Sequence, residues 1–210
     1  MKSTPILFSG QMVRALLAGN KTQTRRVIKP QPGTFSSHVG DLNHGKAWMP
    51  VGGVHWENWP CPYGQPGDRL WVRETFCYFT ERTVAHKTGI AYRADNWAEC
   101  PAENGKWKPS IFCKRADSRI TLELTGVRVE RLQAITEEDA IAEGVHTIKT
   151  GGEVQSDGTV KPIVLSARWC YGGLWDSING PGSWVANPWV WVLEFKPLPA
   201  SPSNNGPLAE

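Results

Sequence analysis

No two of the five cysteines, Cys61, Cys77, Cys100, Cys113 and Cys170, stand at the C-x-x-C spacing, and their odd number speaks against a closed disulfide framework. Reduced, buried thiols are expected instead. Histidine is sparse, at His38, His44, His55, His86 and His146, and without a closely spaced cysteine pair beside it no metal site is expected. The chain has no Walker A, G-x-G-x-x-G, H-E-x-x-H or G-x-S-x-G pattern, which removes several common enzyme classes and leaves no cofactor to be expected. No basic segment leads into an apolar run at the N-terminus, and no stretch approaches the roughly 20 apolar residues of a membrane span. A cytoplasmic protein without a membrane partner is the expectation. A strong excess of one charge sign is missing too: 23 basic against 20 acidic side chains leave +3, which permits nucleic acid as a partner without demanding it.

What the chain does have is apolar side chains at 40% of its 210 residues, enough for the core of one domain with long insertions. Its 11 tryptophans suit a core of bulky rings or a base-stacking surface. Ser9 is placed to cap a helix running to about residue 18, with Met12, Val13, Leu16 and Leu17 on one face and Gly19 free to end it. The next residues form a turn, and Val27 and Ile28 open a strand that Pro30 stops. Residues 31–65, 95–117 and 145–166 lack usable periodicity and read as surface insertions. Lys106, Lys108, Lys114 and Arg115 in the second suit a solvated loop or a nucleic-acid path.

Between these insertions the pattern sharpens. Residues 70–73 alternate as a strand, 91–94 suit a short one, and Ile120, Leu122 and Leu124 alternate until Gly126 bends the strand before Val127 and Val129 resume it. Thr136 and Asp139 make a capping box for a helix of about 137–143 that stops at Gly144. Residues 167–178 suit a helix packing Trp169, Leu174 and Trp175 inward, with Gly172 and Gly173 in its middle. From Trp189 a strand points Trp189, Trp191, Leu193 and Phe195 to one face, and residues 198–210 have the composition of a disordered tail.

Gly19-Asn20-Lys21-Thr22-Gln23-Thr24-Arg25-Arg26 crowds a lysine, two hydroxyls and two arginines onto one short connection, which is costly unless an anion or a carboxylate faces it. Gly-x-Lys-Thr-x-Thr-x-Arg after a short amphipathic helix resembles the signature of the ASCH superfamily, whose domains resemble the PUA barrel of RNA-modifying proteins. Further matches follow in order: Pro66-Gly67-Asp68 before a strand, the strand over 120–132 leading into 135–143, and the segments 174–178 and 187–195. The last two resemble the larger ASCH proteins of phages and prophages. The resemblance implies an α+β fold, a PUA-like β-barrel with short flanking helices and long loop insertions, spanning residues 1–197.

Lys21 and Thr24 are three apart, so one site can hold an amine and a hydroxyl. A lysine acts as base toward a hydroxyl only if its pKa falls well below about 10.4. On spacing alone, a surface lysine in a turn with Thr24 capping the backbone is the favoured reading. Glu143 at a helix C-terminus opposes the macrodipole and needs a cation nearby, for which Lys21 is a candidate; an ordinary exposed glutamate is the competing reading. In the branch of the family that hydrolyses N4-acetylcytidine, the matching Lys, Thr and Glu are catalytic, so the resemblance implies these roles for Lys21, Thr24 and Glu143. Arg26, with Arg25, Thr22 and Asp68, falls on the substrate-binding side, although Arg26 paired with Asp68 would be purely structural. The implied activity is removal of an acyl group from N4-acetylcytidine or a related N4-acylated cytosine nucleoside. Two alternatives stand beside it: an RNA-binding module or ribonuclease acting on single-stranded RNA, and a non-catalytic phage accessory protein.

Overall fold

The computed structural model describes residues 1–31, 46–51, 55–80, 88–97, 99–101, 105–154 and 160–199. In chain order the elements are β1 (Ser3–Leu7), α1 (Gly10–Leu17), β2 (Gln23–Val27), β3 (Lys46–Val51), β4 (His55–Pro60), β5 (Arg69–Arg73), β6 (Phe76–Thr80) and β7 (Thr88–Tyr92). Then come β8 (Thr121–Arg131), α2 (Glu137–Ala142), β9 (Ile148–Val154), β10 (Val160–Leu165), α3 (Ala167–Asn179) and β11 (Trp189–Pro197). The fold is mixed α+β, mostly strands with few helices. Among the described residues the strands do not close into a barrel, and no helix is long and apolar enough to cross a membrane.

The chain forms two compact units. The first comprises Met1–Gly19, Pro62–Thr125 and Phe195–Glu210. In it β1 runs parallel to β5, and β5 runs antiparallel to the start of β8, with Leu70 opposite Leu122. Alternation puts Leu70, Val72, Leu122 and Leu124 into the core, all at most 1% exposed. Helix α1 starts where Ser9 accepts a hydrogen bond from the Met12 amide, and it buries Val13 and Leu16, while Leu17 stays exposed. β6 and β7 pair as an antiparallel ladder, and Phe76, Tyr92 and Cys113 form a small cluster beside it.

The second unit comprises Asn20–Cys61 and Gly126–Glu194. Its sheet order is β8, β11, β2, with β2 and β11 antiparallel and Leu193 opposite Thr24. Within β8 the buried positions shift from Leu122 and Leu124 to Val127 and Val129, so the alternation changes phase across Gly126, where a Cβ would collide with the Glu194 carboxylate. Helices α2 and α3 pack Ala140, Ala167, Tyr171 and Trp175 against Val190 and Val192 of β11. Both faces of β11 are therefore buried, not only the Trp191 and Leu193 face.

Several expectations are corrected here. Strand β2 begins at Gln23, so Thr24, Arg25 and Arg26 lie in a strand and not in the turn, because pairing with β11 recruits them. The insertion at 145–166 carries the antiparallel pair β9 and β10, and the one at 31–65 carries β3 and β4; their mixed polarity hid the ladders. Residues 95–117 contain short 3₁₀ turns. Helix α3 is continuous through Gly172, which lies against the Trp184 ring where a larger side chain would be crowded, and it turns Trp169 outward at 65% exposure and Tyr171 inward. Cys77 and Cys100 form a disulfide, against the expectation of reduced thiols throughout; the fold brings together two cysteines that no motif links. Leu198 donates its amide to the Thr121 carbonyl at 2.8 Å, so the expected tail is still anchored there. Its residues 200–210 lie outside the described residues.

Candidate functional site

The second unit concentrates buried charge where β2 meets α2. Helix α1 ends at Gly19, whose φ of 75° suits glycine, and from Asn20 the chain belongs to the second unit, where the motif segment meets the C-terminal end of α2. There Lys21 forms an isolated antiparallel bridge with Glu143, and the Thr22 amide donates to the Ala142 carbonyl at 2.8 Å. Helix α2 is capped at its start by the Thr136 hydroxyl and at its end by Glu143, with Gly144 at φ 87° completing the turn. Carbonyls left open at the helix end are thus taken up by the motif segment.

The Lys21 side chain is 1% exposed, and its ammonium donates to the Gln23 carbonyl at 2.8 Å, the Glu143 carbonyl at 2.9 Å and Glu143 Oε2 at 2.8 Å. Three donors meet three acceptors, and the charge sits at the negative end of a helix. This answers the unfavourable place of Glu143 noted in the sequence. Burial lowers the Lys21 pKa below its ordinary value; the neighbouring Glu143 carboxylate opposes that fall, and the positive charges of Arg26 and Arg25 add to it.

Glu143 Oε1 accepts more distant contacts, at 3.4 Å each, from the Tyr171 hydroxyl and Arg25 Nη1. Burial raises the Tyr171 phenol well above its usual range, with the Glu143 charge reinforcing the effect, so Tyr171 remains a neutral donor. Arg25, with no exposed side-chain surface, also donates to Asp139 at 2.8 Å and Glu130 at 3.2 Å. Asp139 further accepts the Gln23 amide at 2.8 Å. Burial pushes the Asp139 carboxyl up, but the Gln23 amide and the Arg25 guanidinium outweigh it and hold the pKa below the usual value. Arg128 extends the network to Glu130 and Glu194.

Lys21 and Glu143, far apart in sequence, are therefore in direct contact. Thr24 is buried on β2; since Gln23 and Arg25 both reach Asp139, alternation puts Thr24 and Arg26 on the other face of that strand, with Leu193 and Trp191 as cross-strand partners. Arg25 is an internal counter-ion to three carboxylates instead of a group held out to a ligand. The side chain of Thr22 is exposed. Asp68 belongs to the first unit, where its two oxygens accept the Lys2 amide at 2.6 Å and the Gln65 amide at 3.1 Å, the part of a turn anchor. These hydrogen bonds, that from Lys2 foremost, lower its pKa.

Sequence reasoning missed Gln23, Arg128, Glu130, Asp139 and Tyr171 as members of the cluster. Asp139 had a signal, since a carboxylate at the third position of a helix was read only as part of the cap. Tyr171 had a weaker one, two residues from the tryptophan judged to face inward. Among the described residues no three of His, Cys, Asp and Glu gather as a metal ligand set. Compared with protein families, with curated proteins and with solved structures, the chain finds no match.

Proposed function

We propose that the chain is an amidohydrolase on an ASCH-type, PUA-like scaffold that releases cytidine from N4-acetylcytidine or a related N4-acylated cytosine nucleoside. The observation that carries this reading is the buried Lys21 ammonium, held by Glu143 and pulled below its ordinary pKa. An amine whose charged form is disfavoured in this way gives up and takes back a proton more readily than a free lysine, as amide hydrolysis requires.

In the proposed cycle Lys21 begins as the neutral amine. It then has two N–H groups and a lone pair in place of three donors, so one of its three contacts is given up and that direction is open to an incoming proton. Lys21 takes the proton from a water as the water oxygen attacks the acyl carbonyl, and Thr24, which leaves β2 on its other face, serves as a hydroxyl that orients the substrate. A new C–O bond forms, and the carbonyl electrons move to an oxyanion for which Arg26 is the candidate donor. Collapse of the tetrahedral species breaks the C–N4 bond, and Lys21 returns the proton to N4, giving the free amine of cytosine. The acyl group leaves as the carboxylic acid in the same step. Glu143 positions Lys21 and favours its charged form, while Arg25 and Tyr171 fix Glu143.

The test is release of cytidine by the purified chain and by Lys21→Ala and Thr24→Val, with circular dichroism to confirm that each variant folds. Loss of a positioned base lowers turnover by about 10²- to 10⁴-fold. Turnover by folded Lys21→Ala at the rate of the unsubstituted chain would overturn the reading.

A further inference from the structure

One disulfide stands among the five cysteines: Cys77 of β6 is joined to Cys100, while Cys61, Cys113 and Cys170 are free thiols. We propose that this bridge is a reversible redox latch, opened and closed by thiol–disulfide exchange at the Cys100 sulfur, which fastens the segment after Asp95 to β6.

The two half-cystines sit in unlike surroundings. Cys77 is 1% exposed, inside a strand where its partner residue is Ala91 of β7. Cys100 is partly exposed, between the exposed residues Glu99 and Pro101. Access therefore directs an attacking thiolate to Cys100, and a bridge with one end open to solvent is of the labile, exchangeable kind. The chain on either side is pinned. Arg119 holds Asp95 at 2.8 and 2.7 Å, and Lys108 and Phe76 exchange backbone hydrogen bonds at 2.8 and 3.2 Å. Between these anchors, among the described residues, no hydrogen bond holds Trp97, Glu99, Cys100 or Pro101. The bridge is their tether.

The ladder it is fastened to does not depend on it. β6 and β7 pair over five positions, and Phe76, Tyr92 and Cys113 pack beside them, so hydrogen bonds and core remain when the bridge opens. Cys113 does not compete for the exchange, because it is wholly buried and burial raises its pKa, which keeps the thiol protonated. Both ends of the bridge adjoin a cavity of about 550 Å³: Glu74 and Thr75 line it just before Cys77, and Asn96 and Trp97 just before Cys100. Opening the bridge thus frees one wall of that cavity, including the Trp97 ring, which is 47% exposed.

The exchange balances with a dithiol as reductant. Its first thiolate attacks the Cys100 sulfur and forms a mixed disulfide, while the Cys77 sulfur leaves with the electron pair and takes a proton. The second thiol then attacks the reductant's own sulfur, and Cys100 leaves as a thiol in turn. The protein bridge gains two electrons and two protons, and the dithiol becomes its own disulfide; an oxidised dithiol closes the latch by the reverse steps.

Thiol counting on the folded full chain tests this. The chain is held without denaturant at graded ratios of reduced to oxidised dithiothreitol, quenched in acid, then unfolded, alkylated with N-ethylmaleimide and weighed intact. Three labels are expected on the oxidised chain and five on the reduced one. Oxidised dithiothreitol should restore three, with circular dichroism unchanged throughout. A glutamate-specific protease should cut after Glu99 about tenfold faster or more in the reduced chain, since the tether is gone. In Cys77→Ser, glutathione disulfide should modify Cys100, located by peptide mapping, whereas in Cys100→Ser it should leave Cys77 unmodified. The proposal is overturned if five labels appear without reductant, if three persist until denaturant is added, or if reduction unfolds the chain. Equal cleavage in both states, or modification of Cys77 as fast as Cys100, would overturn it too.

Discussion

Arg25 and Arg119 are built into similar company and put to opposite use. Arg25 has no exposed side-chain surface and joins Glu130, Asp139 and Glu143. Arg119 is 26% exposed and joins Glu74 and Asp95. Each holds a carboxylate that is almost wholly buried, Glu143 in one case and Glu74 in the other. Around Arg25 the carboxylate oxygens are taken up by protein donors, Arg25 Nε is sealed in without a partner, and a lysine is enclosed with them, so the outcome is a shifted proton affinity. Around Arg119 the carboxylate is sealed just as tightly, but the guanidinium is 26% and its second partner Asp95 37% exposed, so the outcome is a cluster that reaches the surface. Water access to the arginine separates the two, since it decides how strongly the charges are screened.

The largest expected effect tests the closed cluster. Arg25→Met strips three carboxylates of their shared cation, and breaking a buried pair from one side costs about 3–5 kcal/mol. Denaturant titration should show that loss as a lower midpoint. A cost below about 1 kcal/mol would mean that water reaches the cluster, and the contrast with Arg119 would disappear.

Arg119→Met should cost less, about 1–3 kcal/mol, because Asp95 returns to water and Glu74 can take up a proton. Burial already raises the Glu74 pKa despite the Arg119 charge. A carboxyl whose folded pKa is raised binds more protons in the folded state, so the variant should gain stability as pH falls toward the ordinary value of about 4.3. Parallel pH profiles for variant and unsubstituted chain would contradict this.

A third, smaller effect concerns Lys21. Its folded pKa is lowered, so between that pKa and the ordinary value of 10.5 the unfolded chain binds more protons and stability rises with pH. The stability of the unsubstituted chain relative to Lys21→Met should therefore climb as pH rises toward 10.5. A difference that stays flat would mean that Lys21 titrates normally. The smallest effect belongs to the surface pair Lys196 and Glu123, 3.1 Å apart with Lys196 59% exposed. Lys196→Ala should change stability by no more than about 0.5 kcal/mol, and a larger loss in thermal melts would show that exposure is a poor guide here.

The parts of the fold legible in the sequence were those fixed by local rules. Ser9 and Gly19 bracket α1, Thr136 and Gly144 bracket α2, and Leu70, Val72, Leu122 and Leu124 alternate as read. Lys21 and Glu143 were paired from the cost of a carboxylate at a helix end, and they do touch. Features that depend on distant partners were not legible. Arg25 is buried only because Glu130, Asp139 and Glu143 arrive from later in the chain, and strand β2 extends back to Gln23 only because β11 lies beside it. The pairing of Cys77 with Cys100 and the cavity beside Glu74 have no sequence motif at all. Trp169, whose size suggests a core position, faces solvent, and Tyr171 fills that role in α3.

The most direct test of the central claim is the pH dependence of kcat/KM for cytidine release from N4-acetylcytidine, measured on the unsubstituted chain and on Glu143→Gln. The account predicts a rate that rises with pH through a single ionisation below the ordinary lysine value. Because the Glu143 charge raises the Lys21 pKa, that limb should move to lower pH in Glu143→Gln. No release at any pH, or a limb that stays in place when Glu143 loses its charge, would contradict it.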